Sequence, residues 1–200
     1  NNLSLNDKLL FFINTFGTLY AINNDNMKIL WFLNLNQSLT LDPSNIFNGS
    51  QIVNYKDKLA ISSNEFIYII DQKNGSTLHK KNFSSNLRPI ILNDNLFIIT
   101  RNNFLISMNI NTGKIIYSYD LNSKIEKFLD NRKKKFDVKN FMILNGKIVI
   151  FYKNSYISIL DIYGEIEQMR RLPSKIHSFP IIINKSLLYL DEKKKLSIFD

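Results

Sequence analysis

Residues 95–117 read NLFIITRNNFLISMNINTGKIIY, and this stretch contains the pattern that decides the fold. Two apolar runs flank a short polar break, and a third run follows a turn. Short runs rich in Ile, Phe and Tyr that alternate with Asn and Gly are typical of β-strands joined by tight hairpins. Asn109 ends the second run, where its side chain can bond the turn backbone, and Gly113 can adopt the positive φ that closes the turn.

The same pattern recurs in residues 7–31, 57–79 and 146–168, and a partial copy starts at residue 185. The Asn or Asp that ends the strand falls at five positions: Asn23, Asp71, Asn109, Asp161 and Asp200. The gaps between them are 48, 38, 52 and 39 residues. Their mean of about 44 residues is the period of a four-stranded propeller blade.

Each period also has room for a fourth strand, predicted at 51–54, 89–92, 141–144 and 180–183. The sequence therefore predicts an all-β fold, a β-propeller segment of four-stranded antiparallel blades, with about four blades plus one hairpin. We expect one propeller domain segment over residues 1–200, with repeats at about 7–56, 57–95, 96–145 and 146–184 and a partial repeat at 185–200.

The strand, turn and aromatic pattern resembles the PQQ-like repeat of quinoprotein-type β-propellers. The segments that carry the resemblance are NTGKIIY (111–117), NMKILW (26–31), GTLYAIN (17–23) and FLISMN (104–109). His79 and Gln168 stand where the repeat places an aromatic side chain, and Met27 and Ser76 stand within its Gly-Lys step. The resemblance covers nearly the whole chain. We expect the segment to belong to a ring of seven or eight blades; closure as a five-bladed ring is the alternative, and the truncated ends argue against it.

Within this group the chain is most similar to the non-enzymatic branch represented by the BamB lipoproteins of the outer-membrane β-barrel assembly machinery. The resemblance implies a protein-binding scaffold at the periplasmic face of the outer membrane, with that machinery as partner. Membrane attachment would come only through an upstream lipid anchor or through the partner. Because the chain opens one strand into a repeat and stops inside another, we expect it to be a piece of a longer protein.

Two other functions are compatible with the same repeats. One is a fragment of a PQQ- and calcium-dependent dehydrogenase, and the other is an intracellular propeller that acts as an interaction hub. A dehydrogenase resembling these repeats needs a calcium site, a catalytic Asp and an indole stacked on the quinone. The Asp residues at strand ends (Asp71, Asp161, Asp200) recur with the blade period, which indicates turn formers, and no phosphate-binding loop or nucleophile motif is present. We therefore expect no enzyme activity, catalytic residue, cofactor or metal site in these 200 residues.

Composition and charge narrow the class of protein further. The hydrophobic content of 44% is typical of a packed domain, and no apolar run approaches the ~20 residues that cross a bilayer. Cysteine is absent, which leaves the compartment undetermined. The net charge of +9 favours an acidic protein, anionic lipid or nucleic acid as partner, although an Asn-, Ile- and Lys-rich composition can produce it without any binding role.

One insertion in the third repeat carries the densest charge. Ser123 and Glu126 form a capping-box pattern, which predicts a short helix with Ile125, Phe128 and Leu129 on its apolar side. The basic run of Arg132, Lys133, Lys134 and Lys135 follows. It is either a solvated loop tip or a docking element for an acidic partner or anionic headgroups. Phe136 alone does not supply the interleaved aromatics of a nucleic-acid site, so we expect no nucleic acid.

The other candidate partner contacts are Arg170, Arg171 and the long connection 38–47, which contains Pro43. Long connections project from propeller faces and often carry function. Trp31, which shares its register with Tyr117, is predicted to pack between neighbouring blades. His79 stands in the same register, so we expect it to fill space or lie at the surface; the alternative, a metal or catalytic role, lacks neighbouring ligands.

Overall fold

The computed structural model describes residues 3–36, 47, 49–130, 135–183 and 186–199. Within these ranges the chain forms five antiparallel sheets and one helix. Residues 1–118 form one compact unit and residues 119–200 form a second. The predicted all-β architecture is confirmed. That all sheets belong to one propeller domain over 1–200 stays a prediction.

The first unit contains three four-stranded sheets in which each strand pairs with the next one in the chain. Sheet one consists of β1 (Leu3–Leu5), β2 (Leu9–Ile13), β3 (Thr18–Asn23) and β4 (Ile29–Asn34). Sheet two consists of β5 (Val53–Tyr55), β6 (Lys58–Ser62), β7 (Ile67–Asp71) and β8 (Thr77–Lys81). Sheet three consists of β9 (Ile90–Leu92), β10 (Asn95–Ile99), β11 (Phe104–Asn109) and β12 (Ile115–Asp120), whose last two residues belong to the second unit.

The second unit contains a helix and two further sheets built in the same way. The helix α1 (Leu121–Leu129) follows β12 directly. Sheet four consists of β13 (Val138–Leu144), β14 (Lys147–Tyr152), β15 (Tyr156–Leu160) and β16 (Ile166–Arg171). Sheet five has three described strands, β17 (Ile181–Ile183), β18 (Ser186–Leu190) and β19 (Leu196–Phe199). In the part of the chain that the structure describes, no helix has the length and apolar character needed to cross a membrane.

The sheets and the sequence repeats share one period and differ in phase by one strand. The strand predicted at 51–54 is observed as β5, which pairs with β6 and so begins sheet two. In the same way, the strand predicted at 89–92 is β9 and begins sheet three. The start chosen for a sequence repeat is arbitrary. A sheet, in contrast, begins at the first strand that pairs with its successor across a short turn, and this difference produces the shift of one strand.

Four strand-ending residues form the predicted turns through their side chains. In each turn the Oδ1 atom accepts hydrogen bonds from two backbone N–H groups two to four residues further on, at 2.8–3.2 Å, as seen for Asn23, Asp71, Asn109 and Asp161. Such bonds let Asn and Asp build a tight turn between adjacent strands. The turn role predicted for Asp71 and Asp161 is confirmed, and Asp200 lies outside the described residues.

Sheet two is buried on both faces. On β7, Ile67 and Ile69 pack with sheet three, whereas Tyr68 and Ile70 pack with sheet one. Sheet four shows the same burial, because every residue from 148 to 151 on β14 is buried. Its Phe151 packs with side chains of sheet five. A strand that is apolar at every position has both faces covered, as the sequence indicated for β14.

The helix begins earlier than its capping-box pattern predicts. Its N-cap is Asp120, whose Oδ1 accepts from the backbone of Asn122 at 2.9 Å, and Ser123 donates its hydroxyl to Asp120 Oδ2 at 3.0 Å. The prediction that Ser123 caps the helix is therefore wrong, because the Asp120 side chain, three residues upstream at the end of β12, accepts the hydrogen bonds of the first turn.

The earlier start also changes which side chains of the helix are buried. Leu121 and Ile125, one turn apart, are buried. Phe128 and Leu129 lie in the last turn and are exposed, so of the three residues predicted on the apolar side only Ile125 is buried.

Candidate functional site

An aromatic–turn contact joins each of the first two sheets to the sheet that follows it. Trp31 on β4 donates from Nε1 to the carbonyl oxygen of Gln72 at 2.9 Å, and its ring lies against Gly75 in the β7–β8 turn. A Cβ atom at Gly75 would lie 2.6 Å from Trp31 Cε3. This contact confirms the predicted packing role of Trp31.

His79 on β8 makes the same contact with sheet three. Its Nε2 lies 2.9 Å from the carbonyl oxygen of Asn111, and its ring lies against Gly113. Because a carbonyl oxygen only accepts hydrogen bonds, Nε2 carries the proton. The predicted space-filling role of His79 is confirmed. Among the described residues, no group of three His, Cys, Asp or Glu side chains could hold a metal ion.

The predicted basic contacts lie partly outside the described residues. Pro43, Arg132, Lys133 and Lys134 are outside them. Lys135 is described and exposed.

The residue after Lys135 is fully buried. The Phe136 ring packs edge-on against the rings of Tyr152 and Tyr156, each with centroids 5.4 Å apart, and its backbone N–H donates to Asn122 Oδ1 at 2.8 Å. Phe136 therefore anchors the end of the basic run and does not present a stacking surface to a ligand.

Arg170 and Arg171 both lie exposed on β16, the last strand of sheet four. When the Gln168 amide is oriented with its oxygen toward Arg170, that oxygen accepts from Nε at 2.9 Å and from Nη2 at 3.1 Å. Gln168 pairs with Ile159 across the sheet, as Trp31 pairs with Ala21. The residue that replaces the aromatic in this copy thus positions a guanidinium group on the surface.

The helix that precedes the basic run is fixed to sheet four by one lysine. Lys124 Nζ donates to Glu165 Oε1 at 2.6 Å and to the carbonyl oxygen of Gly164 at 3.0 Å. The same ammonium lies 3.7 Å from the centre of the Tyr119 ring. These contacts hold the N-terminal half of α1 against the β15–β16 turn.

An exposed apolar strand on sheet one was not predicted. The β4 side chains Ile29, Leu30 and Phe32 all lie at the surface, and Phe32 is 69% exposed. In the equivalent strand β8, Lys80 takes the place of Phe32, since it pairs with Tyr68 as Phe32 pairs with Tyr20. The segment ILWF at 29–32 differs from TLHK at 77–80 in this respect, and that contrast between copies was the signal available in the sequence.

Leu30 also lines a hollow of about 640 Å³ beside the β1–β2, β5–β6 and β7–β8 turns. Its floor is fixed by Gln72, whose side chain accepts from Asn6 Nδ2 at 2.8 Å and donates to the Lys58 carbonyl oxygen at 2.9 Å. Leu9 adds a second apolar side chain. The other lining residues are polar or charged, so the hollow is a polar surface feature with a small apolar patch at Leu9 and Leu30.

The rim of the hollow is charged, and part of that charge is compensated. The Lys56 ammonium, 2.7 Å from Asp94, lowers the pKa of that carboxyl, and Asp94 raises the pKa of Lys56. The hydrogen bond from Lys58 lowers the pKa of Asp57. The rim residues Lys8 and Lys73 form no ion pair with any described residue.

No protein-family model matches the chain. An uncharacterized protein of Rickettsia conorii is 26% identical over 155 residues, which cover 72% of this chain and 35% of that protein. The chain thus spans about a third of the length of this relative.

Among the solved structures that match, two do so over 98% of the chain. BamB from Moraxella catarrhalis superposes with a TM-score of 0.75 at 14% identity, over 56% of that chain. The computationally designed Ika8 protein superposes with a TM-score of 0.72 at 12% identity, over 57% of its chain. With its repeated four-stranded meanders, the chain has a β-propeller fold similar to that of BamB.

Proposed function

We propose that this chain is part of a non-enzymatic propeller scaffold that binds proteins. The observation that carries the proposal is the exposed apolar strand β4 beside the hollow with the lysine rim. Apolar side chains exposed together and bordered by polar groups mark protein-binding surfaces. Phe32 is an aromatic side chain of the kind that anchors such contacts.

The partner we propose is the outer-membrane β-barrel assembly machinery, contacted from the periplasmic side of the membrane. The likeness of the fold to BamB supports this choice. In this scheme β4 makes the apolar contact beside the hollow. The basic residues Arg132, Lys133, Lys134, Lys135, Arg170 and Arg171 and the connection around Pro43 add contacts that guide an acidic partner surface, since charge complementarity mainly raises the rate and specificity of association.

The test is affinity purification of the full-length protein from detergent-solubilised native membranes, with identification of the retained proteins by mass spectrometry. We expect the Phe32→Lys variant to retain about tenfold less of an outer-membrane barrel protein and its periplasmic lipoproteins, because the substitution removes an exposed aromatic anchor. Phe16→Lys is the matched control, since Phe16 is 65% exposed in the β2–β3 turn and Phe32 is 69% exposed on β4.

Equal retention by the two variants would exclude β4 as the contact. Recovery of the unsubstituted protein alone, from the soluble fraction, would contradict the assembly role and favour the intracellular hub. Tight binding of PQQ in the presence of calcium would instead favour the dehydrogenase.

A further inference from the structure

Two Asn-Gly dipeptides, Asn74-Gly75 and Asn145-Gly146, each lie between two paired strands, and the structure gives them opposite surroundings. A third, Asn48-Gly49, begins with a residue outside the described part of the chain. In each dipeptide an amide side chain stands next to a backbone nitrogen that no Cβ atom shields, since glycine has none. That nitrogen can attack the amide wherever the backbone is able to bring the two groups together.

Asn145 and Gly146 form the two-residue turn between β13 and β14, which the pairing of Leu144 with Lys147 closes. Both turn residues are exposed, with positive φ angles of 49° and 72°. A Cβ atom on Gly146 would meet nothing within 4 Å. The Asn145 side chain bonds no other described residue, and the Gly146 N–H donates to no described carbonyl oxygen. The tip of this turn can therefore change its backbone angles without displacing a packed neighbour.

Asn74 and Gly75, between β7 and β8, are held on every side. The Gly75 N–H donates to the carbonyl oxygen of Asp71 at 3.0 Å, so this nitrogen is engaged. The Asn74 side chain accepts from the Ser76 N–H at 2.8 Å. Gly75 is also buried against the Trp31 ring. Turning the Gly75 nitrogen toward the Asn74 amide would break both hydrogen bonds and displace the glycine from the indole.

We propose that Asn145 is a site of spontaneous deamidation, whereas the fold protects Asn74. After hydroxide removes its proton, the Gly146 nitrogen attacks the side-chain carbonyl carbon of Asn145 and forms an N–C bond. The bond from that carbon to the amide nitrogen breaks, and the amide nitrogen takes up a proton from water and leaves as ammonia. Water then adds to one carbonyl of the resulting cyclic imide and opens the ring to aspartate or isoaspartate. The reaction consumes water, and no group is oxidised or reduced.

Either product changes the β13–β14 hairpin. The new carboxylate lowers the net charge of +9 by one. Isoaspartate also adds a carbon atom to the backbone of a two-residue turn, and turns of this kind fix the register of the strands that they join. The pairing of Leu144 with Lys147, next to the turn, is the first that the longer backbone disturbs. Deamidation therefore alters both the charge and the geometry at this end of sheet four.

The test is incubation of the folded full-length protein at mildly alkaline pH, followed by trypsin digestion and mass spectrometry. Trypsin cuts after Lys and Arg, so residues 74–80 and 140–147 are released as separate peptides with one Asn-Gly dipeptide each. Fragmentation of the second peptide separates position 145 from Asn140. We expect position 145 to deamidate at least about tenfold faster than position 74, because a group held by the fold reacts only after local opening.

The same protein unfolded in urea is the control. We expect the two positions to react at similar rates there, because the dipeptides are identical and the fold no longer distinguishes them. In the folded protein, Trp31→Ala should raise the rate at position 74 at least about threefold and leave position 145 unchanged. Trp31→Phe, which removes the donor to the Gln72 carbonyl oxygen, replaces this variant if it loses its cooperative thermal transition.

Similar rates at the two positions in the folded protein would overturn the proposal. So would a difference that persists in urea, because the residues next to the dipeptides would then be its cause. An unchanged rate at position 74 in the Trp31 variant would overturn the protection assigned to the fold. None of these results bears on the partner proposed for β4.

Discussion

At the scale of single residues, the aromatic–turn contact decides which substitutions the fold tolerates. The contact combines a large ring with a turn glycine, which has no side chain. The alignment of the copies predicted the aromatic register, including the unusual histidine. It did not predict that the partner would be the turn glycine of the following sheet, because that pairing depends on how two sheets pack and leaves no periodic pattern of its own.

We predict that Gly75→Ala lowers the free energy of unfolding by about 3 kcal/mol, of which left-handed backbone strain contributes roughly 1 and crowding against Trp31 the rest. Gly146→Ala is the control, since Gly146 has nearly the same φ, 72° against 73°, and a Cβ there meets nothing within 4 Å. Urea unfolding followed by circular dichroism measures both. A loss at Gly75 no larger than at Gly146 would show that Trp31 does not press on the turn.

At the scale of elements, the strands were predictable and the helix start was not. Each strand follows from an apolar run closed by Asn, Asp or Gly, because local turn chemistry sets where the chain reverses. The helix start depends on a competition between two acceptors, Asp120 and Ser123. Likewise, the segment ILWF at 29–32 has the apolar composition of a core strand. Three of its side chains are nevertheless exposed, because β4 is the last strand of sheet one.

We predict that Asp120→Ala frays the first turn of α1 and lowers the free energy of unfolding by about 1 kcal/mol, as the loss of an N-cap does. Ser123→Ala should cost less, because its hydroxyl bonds only the carboxylate that caps the helix. Hydrogen exchange at the amides of Asn122 and Ser123 reports the local effect. Faster exchange in the Ser123 variant than in the Asp120 variant would restore Ser123 as the cap.

At the scale of the whole molecule, the excess of positive charge makes acid pH unfavourable. The pKa values of Asp57 and Asp94 lie below their usual range because of Lys58 and Lys56. A lowered pKa in the folded state means that each carboxylate stabilises the fold above its unfolded pKa of about 4, and that this contribution is lost as the pH falls through the folded value. Protonation of the carboxylates also raises the net charge above +9, which increases the repulsion between the basic side chains.

We therefore predict that the melting temperature falls between about pH 5 and pH 3, and that Asp94→Asn makes this dependence shallower. Asp25→Asn, in the β3–β4 turn, is the control, since none of the ion pairs among the described residues includes Asp25. Differential scanning fluorimetry across this range measures both. An identical slope for Asp94→Asn and the unsubstituted protein would mean that the pair with Lys56 does not act in solution.

The contact of Trp31 with Gly75 can form only late in the synthesis of the first two sheets. A ribosome makes sheet one before the turn that receives its indole, and the two residues are 44 positions apart. At a translation rate of 5–20 residues per second, Gly75 is added roughly 2 to 9 s after Trp31. Nascent chains halted before residue 72 should therefore show a red-shifted tryptophan emission, and chains halted well beyond residue 75 a blue-shifted one. Sheets one and two can therefore form this contact only after residue 75 has emerged, and sheets two and three can form theirs only after residue 113.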